Sequence, residues 1–401
     1  MKCRVCDGSD FELVVDLKDQ PLALNFLTKE EVGKELFYPL RVVVCLRCKT
    51  AQLDYTIKKE VVYSKHTYLS GITRSLYDHF YKTAKDVDDH FFSNKFPKSV
   101  LDIGSNDGTQ LKCYQKLGYE VLGVEPSSNI AKIANESGVN TFNAFYNLET
   151  AKEINQSFDV INASGVFFHL EELHSVTAGI KKYLKDNGVF VVQFLYMRKI
   201  MENVAFDQIY HEHLLYYNVE TLNYLLNIHG LEVFDAKLSP IHGGSIIAYV
   251  SHIGRRQKSD SLNQLLKEER NTRANELETY YTFAKNIEMV KLKNLAFLER
   301  CKKENKKVFG MGAPVKGNTL LNYLNIDNRY IECLVEKNEL RKNLFSPGMH
   351  LPILIEKELK QLPDVYFVLA WNFKEEILKN NDHLIKKGIE FYFPINPGVV
   401  Q

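Results

Sequence analysis

Two C-x-x-C pairs near the start of the chain constrain its fold more than any other feature. "CRVC" brings Cys3 and Cys6 into one tight turn, and "CLRC" brings Cys45 and Cys48 into another. The two-residue spacer lets both thiolates of a pair face one ion, and two pairs complete a tetrahedron with no open position. The alternatives are a redox dithiol, which needs only one pair, and disulfides, which are disfavoured in a cytoplasmic chain. The pairs therefore predict a structural zinc ion that holds a small N-terminal module together.

The bulk properties of the chain exclude several classes of protein. Its length of 401 residues predicts two or three domains. The formal net charge of +1 gives no overall field that would attract nucleic acid or anionic lipid. The start, "MKCRVCDGSD", has no apolar signal region, and no apolar run approaches the roughly 18 residues that a membrane span needs. We expect a cytoplasmic protein that acts as a monomer and binds neither nucleic acid nor membranes.

Strand and helix patterns alternate from residue 98 to residue 195. The strand patterns are "KSVLDIG", "EVLGVEP", "SFDVINAS" and "VFVVQFL", and between them lie the helical patterns "GTQLKCYQKLG", "NIAKIANESG" and "LEELHSVTAGIKKYLKDNG". This alternation predicts a doubly wound α/β domain on a parallel sheet. Residues 255–305 are charged with helical periodicity, which predicts a long helical connector. From residue 306 the alternation restarts, which predicts a second, smaller nucleotide-fold-like unit.

The segment "VLDIGSNDGTQL" joins the first strand of this domain to its first helix through a D-x-G-x-x-x-G turn. Gly104 permits the tight turn, and Gly108 lets the helix pack close to the strand. Asp102 suits a ligand with an ammonium group, Asn106 lies in the turn itself, and Glu125 ends the next strand, where an acid can accept both hydroxyls of a ribose. These residues favour S-adenosylmethionine over a nicotinamide cofactor. A bare strand–turn–helix with incidental acids is the simpler alternative.

A cluster of titratable residues follows in "FDQIYHEHLLYY". Its H-E-H spacing differs from the H-E-x-x-H zinc motif. In an extended segment His211 and His213 would point to one side and Glu212 to the other. Buried histidines that bond backbone carbonyls are the simpler interpretation, but the density of these groups, with Tyr210 beside them and His242 in "PIHGGS", favours proton transfer. A neighbouring carboxylate would raise the basicity of a histidine, and a tyrosine hydroxyl could steady an enolate.

Six motifs occur in a characteristic order: the paired C-x-x-C, "DIGSNDG", "YHEH", "HGGS", "GMGAPVKGN" and "AWNF". With them the chain resembles, over essentially its whole length, the sugar C-methyltransferases that act on nucleotide-linked keto-deoxysugars, the type represented by tetronitrose C-3′-methyltransferase. The resemblance implies three domains: a zinc-binding N-terminal domain (1–75), an α/β domain with the class I S-adenosylmethionine-dependent methyltransferase fold (76–253), and the helical connector with a Rossmann-like C-terminal domain (254–401). It also implies S-adenosylmethionine and structural Zn²⁺ as cofactors and a nucleotide-diphosphate keto-sugar as substrate.

The same resemblance implies a reaction. A ketone at sugar C4 acidifies the hydrogen at C3, a base removes that hydrogen as a proton, and the enolate attacks the sulfonium methyl group with inversion. By this match His213 is the base, and Tyr210 and Glu212 support it or bind the sugar. His169, in "ASGVFFHLEEL", and Tyr68, in "HTYLSG", match a histidine and a sugar-contacting tyrosine of the family. All five are assigned to the catalytic site.

The sequence departs from the family pattern at two places. Ser164 and Gly165 stand where relatives often carry two asparagines, which affects the contacts expected with the cofactor. Ile247 stands where relatives usually carry an arginine. If that arginine touches the nucleotide or the sugar, the substrate differs from a dTDP-sugar.

The segment "FGMGAPVKGNTLL" (309–321) joins a strand to a helix in the C-terminal unit. Gly310, Gly312 and Gly317 free backbone amides, and Lys316 adds a charge beside the helix N-terminus, which together predict a diphosphate cradle. A tight turn in a vestigial fold is the alternative, because the Walker Gly-Lys-Ser/Thr is absent. The residues assigned to substrate binding are His211, His242, Lys316 and Asn318.

Two other functions compete with C-methylation of a sugar. A nicotinamide-dependent nucleotide-sugar oxidoreductase or epimerase would use the C-terminal unit, but its Y-x-x-x-K dyad is not evident. A non-catalytic scaffold bearing zinc would explain the cysteines alone, but the H-E-H cluster and the near-neutral charge count against it. We therefore expect an enzyme.

Overall fold

The computed structural model describes residues 1–62, 69–72, 74–93 and 95–400. Its strands in these ranges are β1 (Phe11–Pro21), β2 (Phe37–Cys45), β3 (Ala51–Leu53), β4 (Lys98–Ile103), β5 (Tyr119–Val124), β6 (Thr141–Phe142), β7 (Phe158–Ser164), β8 (Leu184–Leu195), β9 (Leu215–Tyr216), β10 (Leu231–Ser239), β11 (Ser245–His252), β12 (Val308–Met311), β13 (Leu334–Glu336), β14 (Ile353–Ile355), β15 (Val365–Val368), β16 (Glu390–Phe393) and β17 (Gly398–Val400).

The α-helices in the same ranges are α1 (Lys59–Val62), α2 (Arg74–Val87), α3 (Thr109–Gln115), α4 (Ser128–Glu136), α5 (Leu148–Ile154), α6 (Leu173–Tyr183), α7 (Met197–Asn203), α8 (Val219–Ile228), α9 (Asp260–Asn271), α10 (Leu277–Lys303), α11 (Val315–Leu324), α12 (Lys374–Asn380) and α13 (Asp382–Ile385). A π-helical turn, Asp88–Phe92, extends α2, and short 3₁₀ turns span Ser70–Ile72, Phe206–Gln208, Ile241–Gly243, Glu339–Arg341, Glu356–Glu358 and Trp371–Phe373. Within the part of the chain described here, none of these helices combines the length and the hydropathy required to cross a bilayer.

The N-terminal sheet joins three strands of the cysteine-bearing module to one strand from the middle of the chain. Its order is β1-β2-β3-β9, and each neighbouring pair is antiparallel. Gln52 pairs with Leu215, and the amide of Leu53 donates to the carbonyl of Leu214 over 3.0 Å. The residues that follow "YHEH" therefore belong to the N-terminal sheet.

The central sheet has the order β10-β11-β8-β7-β4-β5-β6, which is that of the class I methyltransferase fold. The strands from β6 to β8 pair in parallel, as the alternating pattern predicts. The other edge lies beyond the alternating pattern of 98–195, and there β11 runs antiparallel to both β8 and β10. The connection 240–244 between β10 and β11 is short enough for a hairpin, whereas a parallel pair needs a crossover of a dozen residues or more.

One predicted helix boundary is wrong. The helix expected over 170–188 ends at Tyr183, because the strand β8 already begins at Leu184 and the polar "KDNG" stretch falls where its register with β7 shifts. The connector expected over 255–305 is helical and consists of two helices, α9 and α10. Arg273, between them, has a left-handed φ of 53°, which a continuous right-handed helix does not allow.

The C-terminal sheet has the order β14-β13-β12-β15-β16-β17, with parallel pairing from β14 to β16. This is the expected Rossmann-like arrangement. In both α/β sheets the strand order reverses beside one strand, β4 in the central sheet and β12 in the C-terminal one. Ligands of open α/β sheets bind at the carboxyl ends of the strands at such points, and the glycine turns at 104–108 and 312–317 follow these two strands.

Candidate active site

The four N-terminal cysteines lie together in a geometry that fits a zinc ion. Their Sγ atoms are all within 4.8 Å of one another, with 3.6 Å between Cys3 and Cys48 and 3.5 Å between Cys6 and Cys45. Tetrahedral coordination at about 2.3 Å places neighbouring sulfur atoms about 3.8 Å apart. All four are free thiols rather than disulfides. The cluster therefore suits one structural Zn²⁺ with no coordination position left for a substrate.

The turn after β4 contains two glycines, Gly104 and Gly108, at positions where a larger residue would not fit. Gly104 has φ of 68°, and a Cβ there would lie 2.7 Å from the side chain of Val166. Gly108 has φ of 77° at the start of α3, and a Cβ there would lie 2.9 Å from Val139. Both glycines allow the turn to pack closely. The turn thus presents its backbone at the carboxyl edge of the sheet, as expected for a cofactor loop.

Two buried carboxylates flank this turn. Glu125 follows β5, and its two oxygens accept the backbone amides of Asn106 over 3.0 Å and of Ser127 over 2.8 Å. Burial, and then the negative charge of Glu125, raise the pKa of Asp102 well above its usual range. Burial also raises the pKa of Glu125, against the two amides that favour its charged form. A cationic ligand with hydroxyl groups would supply the missing counter-charge, and S-adenosylmethionine has both features.

Asn106 and its neighbour Asp107 bind the backbone of residues 70–71, a contact that the sequence did not indicate. Oδ1 of Asn106 accepts the amide of Ser70 over 2.9 Å, and Oδ2 of Asp107 accepts the amide of Gly71 over 2.8 Å. The cofactor loop therefore holds residues 70–71 of the connector between the first two domains. Tyr68, which belongs to the same connector, lies outside the residues that the structure describes.

The "YHEH" segment forms a turn rather than the extended segment expected from the sequence. The amide of His213 donates to the carbonyl of Tyr210 over 2.9 Å, which closes a turn over these four residues. His211, Glu212 and His213 are all buried, at 2%, 6% and 3% exposure. The expectation that the two histidines point the same way is therefore wrong, because a turn does not follow the two-residue period of a strand.

His213 is held by a backbone carbonyl. Its Nδ1 donates to the carbonyl oxygen of Gln208 over 2.7 Å. A carbonyl can only accept, so Nδ1 carries the hydrogen and the neutral ring keeps its lone pair on Nε2. Burial, and then the charges of His169 and His242, lower the pKa of His213 well below 6.5, while the bond to Gln208 acts in the opposite direction. The group that orients this imidazole is therefore Gln208 and not Glu212, contrary to the sequence-based expectation.

Aromatic rings surround the same imidazole. The His169 ring stacks on it with centroids 5.1 Å apart, and the Tyr210 ring lies 3.8 Å away. Phe168 meets both histidines edge-on, at 4.5 Å from His169 and 4.8 Å from His213. Three of the residues assigned to catalysis, His213, His169 and Tyr210, thus lie together in a largely apolar setting that favours the neutral form of His213.

The other two members of "YHEH" are placed against the N-terminal module. Nε2 of His211 lies 3.3 Å from the carbonyl oxygen of Tyr38, and the two rings meet edge-on. Burial raises the pKa of Glu212 to about 7, against the backbone amides of Glu212 and Leu24. The contact of His211 with a backbone carbonyl matches the simpler interpretation of a buried histidine, and this contact does not by itself suggest substrate binding.

A second polar cluster joins the central sheet to the C-terminal domain. Asp207 is fully buried, its Oδ2 accepts Trp371 Nε1 over 2.6 Å, and Lys316 Nζ lies 3.5 Å from the same oxygen. Lys316 Nζ also lies 3.7 Å from the centre of the Trp371 ring. Burial lowers the pKa of Lys316 to about 8, against the charge of Asp207. This lysine is therefore already paired with an acid.

His242 lies between the two clusters. Its carbonyl accepts Gln208 Nε2 over 2.8 Å, and its side chain is solvent-accessible. Desolvation, and then the positive charges of Lys316 and His79, lower the pKa of His242 to about 4. A side chain that is accessible and yet surrounded by protein charges suits the wall of a cleft. Gln208 thus connects the two sites, since its carbonyl holds His213 and its side chain holds the turn of His242.

Three sequence profiles match successive parts of the chain: a zinc binding domain over residues 3–63, a methyltransferase domain over residues 77–236 and a C-methyltransferase C-terminal domain over residues 240–396. The C-methyltransferase NovU of Streptomyces niveus is 31% identical over 400 residues, which cover 98% of this chain and 95% of that protein. The chain belongs to the C-methyltransferase family. The predictions of an S-adenosylmethionine-dependent C-methyltransferase and of a zinc-binding N-terminal domain are thereby confirmed.

Other relatives share only the methyltransferase part. A ubiquinone biosynthesis O-methyltransferase of Rhodopseudomonas palustris is 29% identical over 99 residues, 24% of this chain and 39% of that protein. The solved structure of an S-adenosylmethionine-dependent methyltransferase from Clostridium acetobutylicum covers 44% of this chain and 92% of its own, at 15% identity and a TM-score of 0.37.

In this C-methyltransferase the loop that was predicted to cradle a diphosphate is shaped by packing. A Cβ at Gly310 would lie 2.4 Å from Leu334, and one at Gly317 would lie 3.3 Å from Leu369. Asn318 does not face the loop's free edge, because its Nδ2 donates to the carbonyl of Ala23 over 2.7 Å. With Lys316 paired to an acid, the loop offers less free positive charge than its sequence indicated.

Sequence reasoning missed Glu336 of the methyltransferase, whose geometry repeats that of Glu125. It ends β13, its Oε2 accepts the amide of Ala313 in the glycine loop over 2.8 Å, and its Oε1 accepts the amide of Asn338 over 3.0 Å. The signal that could have found it is "LVEKN", a strand that ends in an acid one element after a glycine loop. Asp207, Gln208 and Trp371 were also missed, since their roles depend on contacts distant in sequence.

Proposed function

We propose that this C-methyltransferase transfers a methyl group to a carbon, C3, of a nucleotide-diphosphate-linked 4-keto-deoxysugar, with His213 as the base that forms the enolate. The observation that carries the proposal is the hydrogen bond from His213 Nδ1 to the Gln208 carbonyl. It fixes the tautomer with a free lone pair on Nε2. The bound cofactor supplies an electrophilic methyl group on a sulfonium centre, and this chain must supply the base.

A neutral imidazole suits this task. A hydrogen on carbon beside a ketone is only weakly acidic, so the base must be unprotonated at working pH and aligned with the carbon–hydrogen bond. The low pKa of His213 keeps the ring neutral, and the adjacent His169 discourages a second positive charge. Tyr210, whose ring lies 3.8 Å from that of His213, is proposed to donate to the oxygen that becomes negative in the enolate.

Two acids support binding of a nucleotide and of the cofactor at separate loops. Glu125 is proposed to accept the ribose hydroxyls of S-adenosylmethionine, with Asp102 facing its ammonium group. Glu336, in the equivalent position of the C-terminal domain, supports a nucleotide site there, because Oε2 accepts the amide of Ala313 and keeps a second lone pair, whereas Oε1 accepts the amides of both Lys337 and Asn338. The three sequence profiles support a division into three parts with the first limit near residue 75, whereas the C-terminal profile begins at residue 240 rather than at the proposed 254.

The proposal is tested by incubating the zinc-loaded protein with labelled S-adenosylmethionine and a panel of nucleotide-linked keto-sugars, and by locating the label by mass spectrometry. The His213→Asn variant should bind both ligands and lose roughly 10²–10⁴-fold in turnover, the usual size of a general-base contribution. His90→Asn is the control, because that histidine is exposed on the π-helical turn and has no assigned role in binding or catalysis. Normal turnover by His213→Asn would place the base elsewhere.

A further inference from the structure

A series of hydrogen bonds starts at the zinc-binding cysteines and enters the strand β3. Gln52 Nε2 donates to Cys3 Sγ over 3.1 Å, and Gln52 Oε1 accepts the backbone amide of Arg4 over 3.1 Å. Arg4 Nη1 in turn donates to the carbonyl of Leu53 over 2.5 Å. Because Arg4 lies between Cys3 and Cys6, the first cysteine pair is tied directly to two successive residues of β3.

The series continues from β3 to the histidines. The amide of Leu53 donates to the carbonyl of Leu214 over 3.0 Å, and the amide of Leu214 donates to the carbonyl of Phe168 over 2.9 Å. Leu214 follows His213 in the chain, and Phe168 precedes His169. The hydrogen bonds therefore run from the first cysteine pair to the backbone beside both stacked imidazoles.

Two features indicate that the position of the His213 turn depends on this connection. Gln52, Leu53 and Leu214 are buried, at 0%, 1% and 3% exposure, so water does not replace a lost hydrogen bond. The strand β9 spans only Leu215–Tyr216, so its position depends on its partner β3 rather than on a long ladder of its own. A displacement of β3 would move the turn that carries His213.

We propose that the zinc-binding module positions the catalytic histidines, with Gln52 and Arg4 as positioning residues. The inference rests on the proposed role of His213 as the base. Coordination by four cysteines leaves the zinc ion no position for a substrate. The ion would instead affect catalysis indirectly, through the position of β3. A misplacement of about 1 Å far from the chemistry can reduce turnover roughly 10²-fold.

The test uses the full-length, zinc-loaded protein and its Gln52→Leu variant. Zinc content, S-adenosylmethionine affinity, hydrogen exchange of residues 208–217 and steady-state kinetics are measured on both. We expect one zinc per chain, unchanged cofactor affinity, exchange in 208–217 faster by about tenfold, and kcat lower by about tenfold at an unchanged KM for the cofactor. A merely structural role would lower the amount of folded protein without this separation of kcat from KM.

Thr50→Val is the matched control, because it removes a contact of 3.4 Å with another sulfur of the cluster, that of Cys48, and leaves the Gln52 and Arg4 hydrogen bonds in place. It should keep wild-type exchange and kcat. Arg4→Met provides a second variant if Gln52→Leu does not fold, since it removes only the contacts of the Arg4 side chain.

Wild-type exchange across 208–217 in Gln52→Leu and Arg4→Met would overturn the inference. Exchange is measured without a substrate, so this result is independent of the proposed reaction. If exchange is faster in the variants but the wild type methylates no keto-sugar, the proposed function fails, while the positioning of the segment by the zinc-binding module stands.

Discussion

Trp371 Nε1 donates a hydrogen bond of 2.6 Å to Oδ2 of Asp207, and this bond links the C-terminal domain to the turn that precedes "YHEH". The Trp371 ring also packs on the turn of His242, since a Cβ at Gly243 would lie 2.6 Å from it. Asp207 immediately precedes Gln208, the residue whose carbonyl holds His213. The C-terminal domain therefore contacts both sides of the proposed reaction centre through one side chain.

Removal of the Asp207 charge should destabilise the protein. Asp207 is fully buried and Lys316 nearly so, and loss of one partner of a buried ion pair costs about 3–5 kcal/mol, or less where the remaining lysine loses its proton. We expect Asp207→Asn to lower the free energy of unfolding accordingly. Urea unfolding followed by the fluorescence of Trp371, the only tryptophan in the chain, measures this directly at the contact. Asp89→Asn, at an exposed pair with Lys85, should change stability by less than about 0.5 kcal/mol.

Glu125→Gln should weaken binding of S-adenosylmethionine. The change keeps the shape of the side chain but removes the charge that accepts two backbone amides and, in our proposal, the ribose hydroxyls. Hydrogen bonds to a charged group contribute about 1.5–3 kcal/mol, so the Kd should rise roughly 10- to 150-fold. Isothermal titration calorimetry provides the measurement. Glu120→Gln, at an exposed position of the same strand, should bind like the wild type, and equal affinities for all three proteins would contradict the assignment.

Tyr210→Phe should separate the contribution of the Tyr210 ring to packing from the contribution of its hydroxyl group to catalysis. The phenylalanine ring can keep its place beside His213, so the fold and the affinity for S-adenosylmethionine should not change. If the hydroxyl stabilises the enolate oxygen, kcat should fall roughly 10²-fold, the size reported for loss of one such donor. Steady-state kinetics measures this, with the keto-sugar that the wild-type protein methylates as the substrate. Tyr224→Phe on α8 is the control and should keep the wild-type kcat.

Much of the fold could be predicted because its signals are local. The cysteine spacing, the glycine turn at 104–108 and the acid at the end of β5 each depend on residues close together in the sequence. The class I sheet follows from the alternation of strands and helices. The antiparallel edge formed by β10 and β11 lies outside the alternating pattern of 98–195, so that pattern carried no prediction of its direction.

The electrostatic details of the site could not be predicted in the same way. Asp207 and Trp371 are 164 positions apart, so only the folded chain brings them together. The turn at 210–213 is buried between the N-terminal module, which His211 contacts at Tyr38, and Phe168 and His169, which pack on His213, and this setting overrides the alternation expected from the residues alone. For the same reason the partner of His213 is a carbonyl five residues earlier and not the adjacent glutamate.

Acidic pH should destabilise the protein in part through His213. Its pKa in the folded protein lies well below 6.5, whereas in the unfolded chain it is about 6.5. Between these two values the unfolded chain binds the proton and the folded protein does not, so stability rises with pH in this window and is lost as the pH falls below about 6.5. The contribution is fully present above that pH. Burial also lowers the pKa of His211. A variant that lacks His213 therefore keeps part of the dependence of stability on pH.

The free energy of unfolding of His213→Asn should therefore depend less steeply on pH between about 5 and 6.5 than that of the wild type. Urea titrations at a series of pH values measure the slope. His90→Asn, at an exposed position, is the control and should retain the wild-type slope. Equal slopes for the wild type and His213→Asn would mean that His213 takes up its proton in the folded state. In that case the ring would not be a neutral base at the lower end of this range, and a different residue would have to remove the proton from carbon.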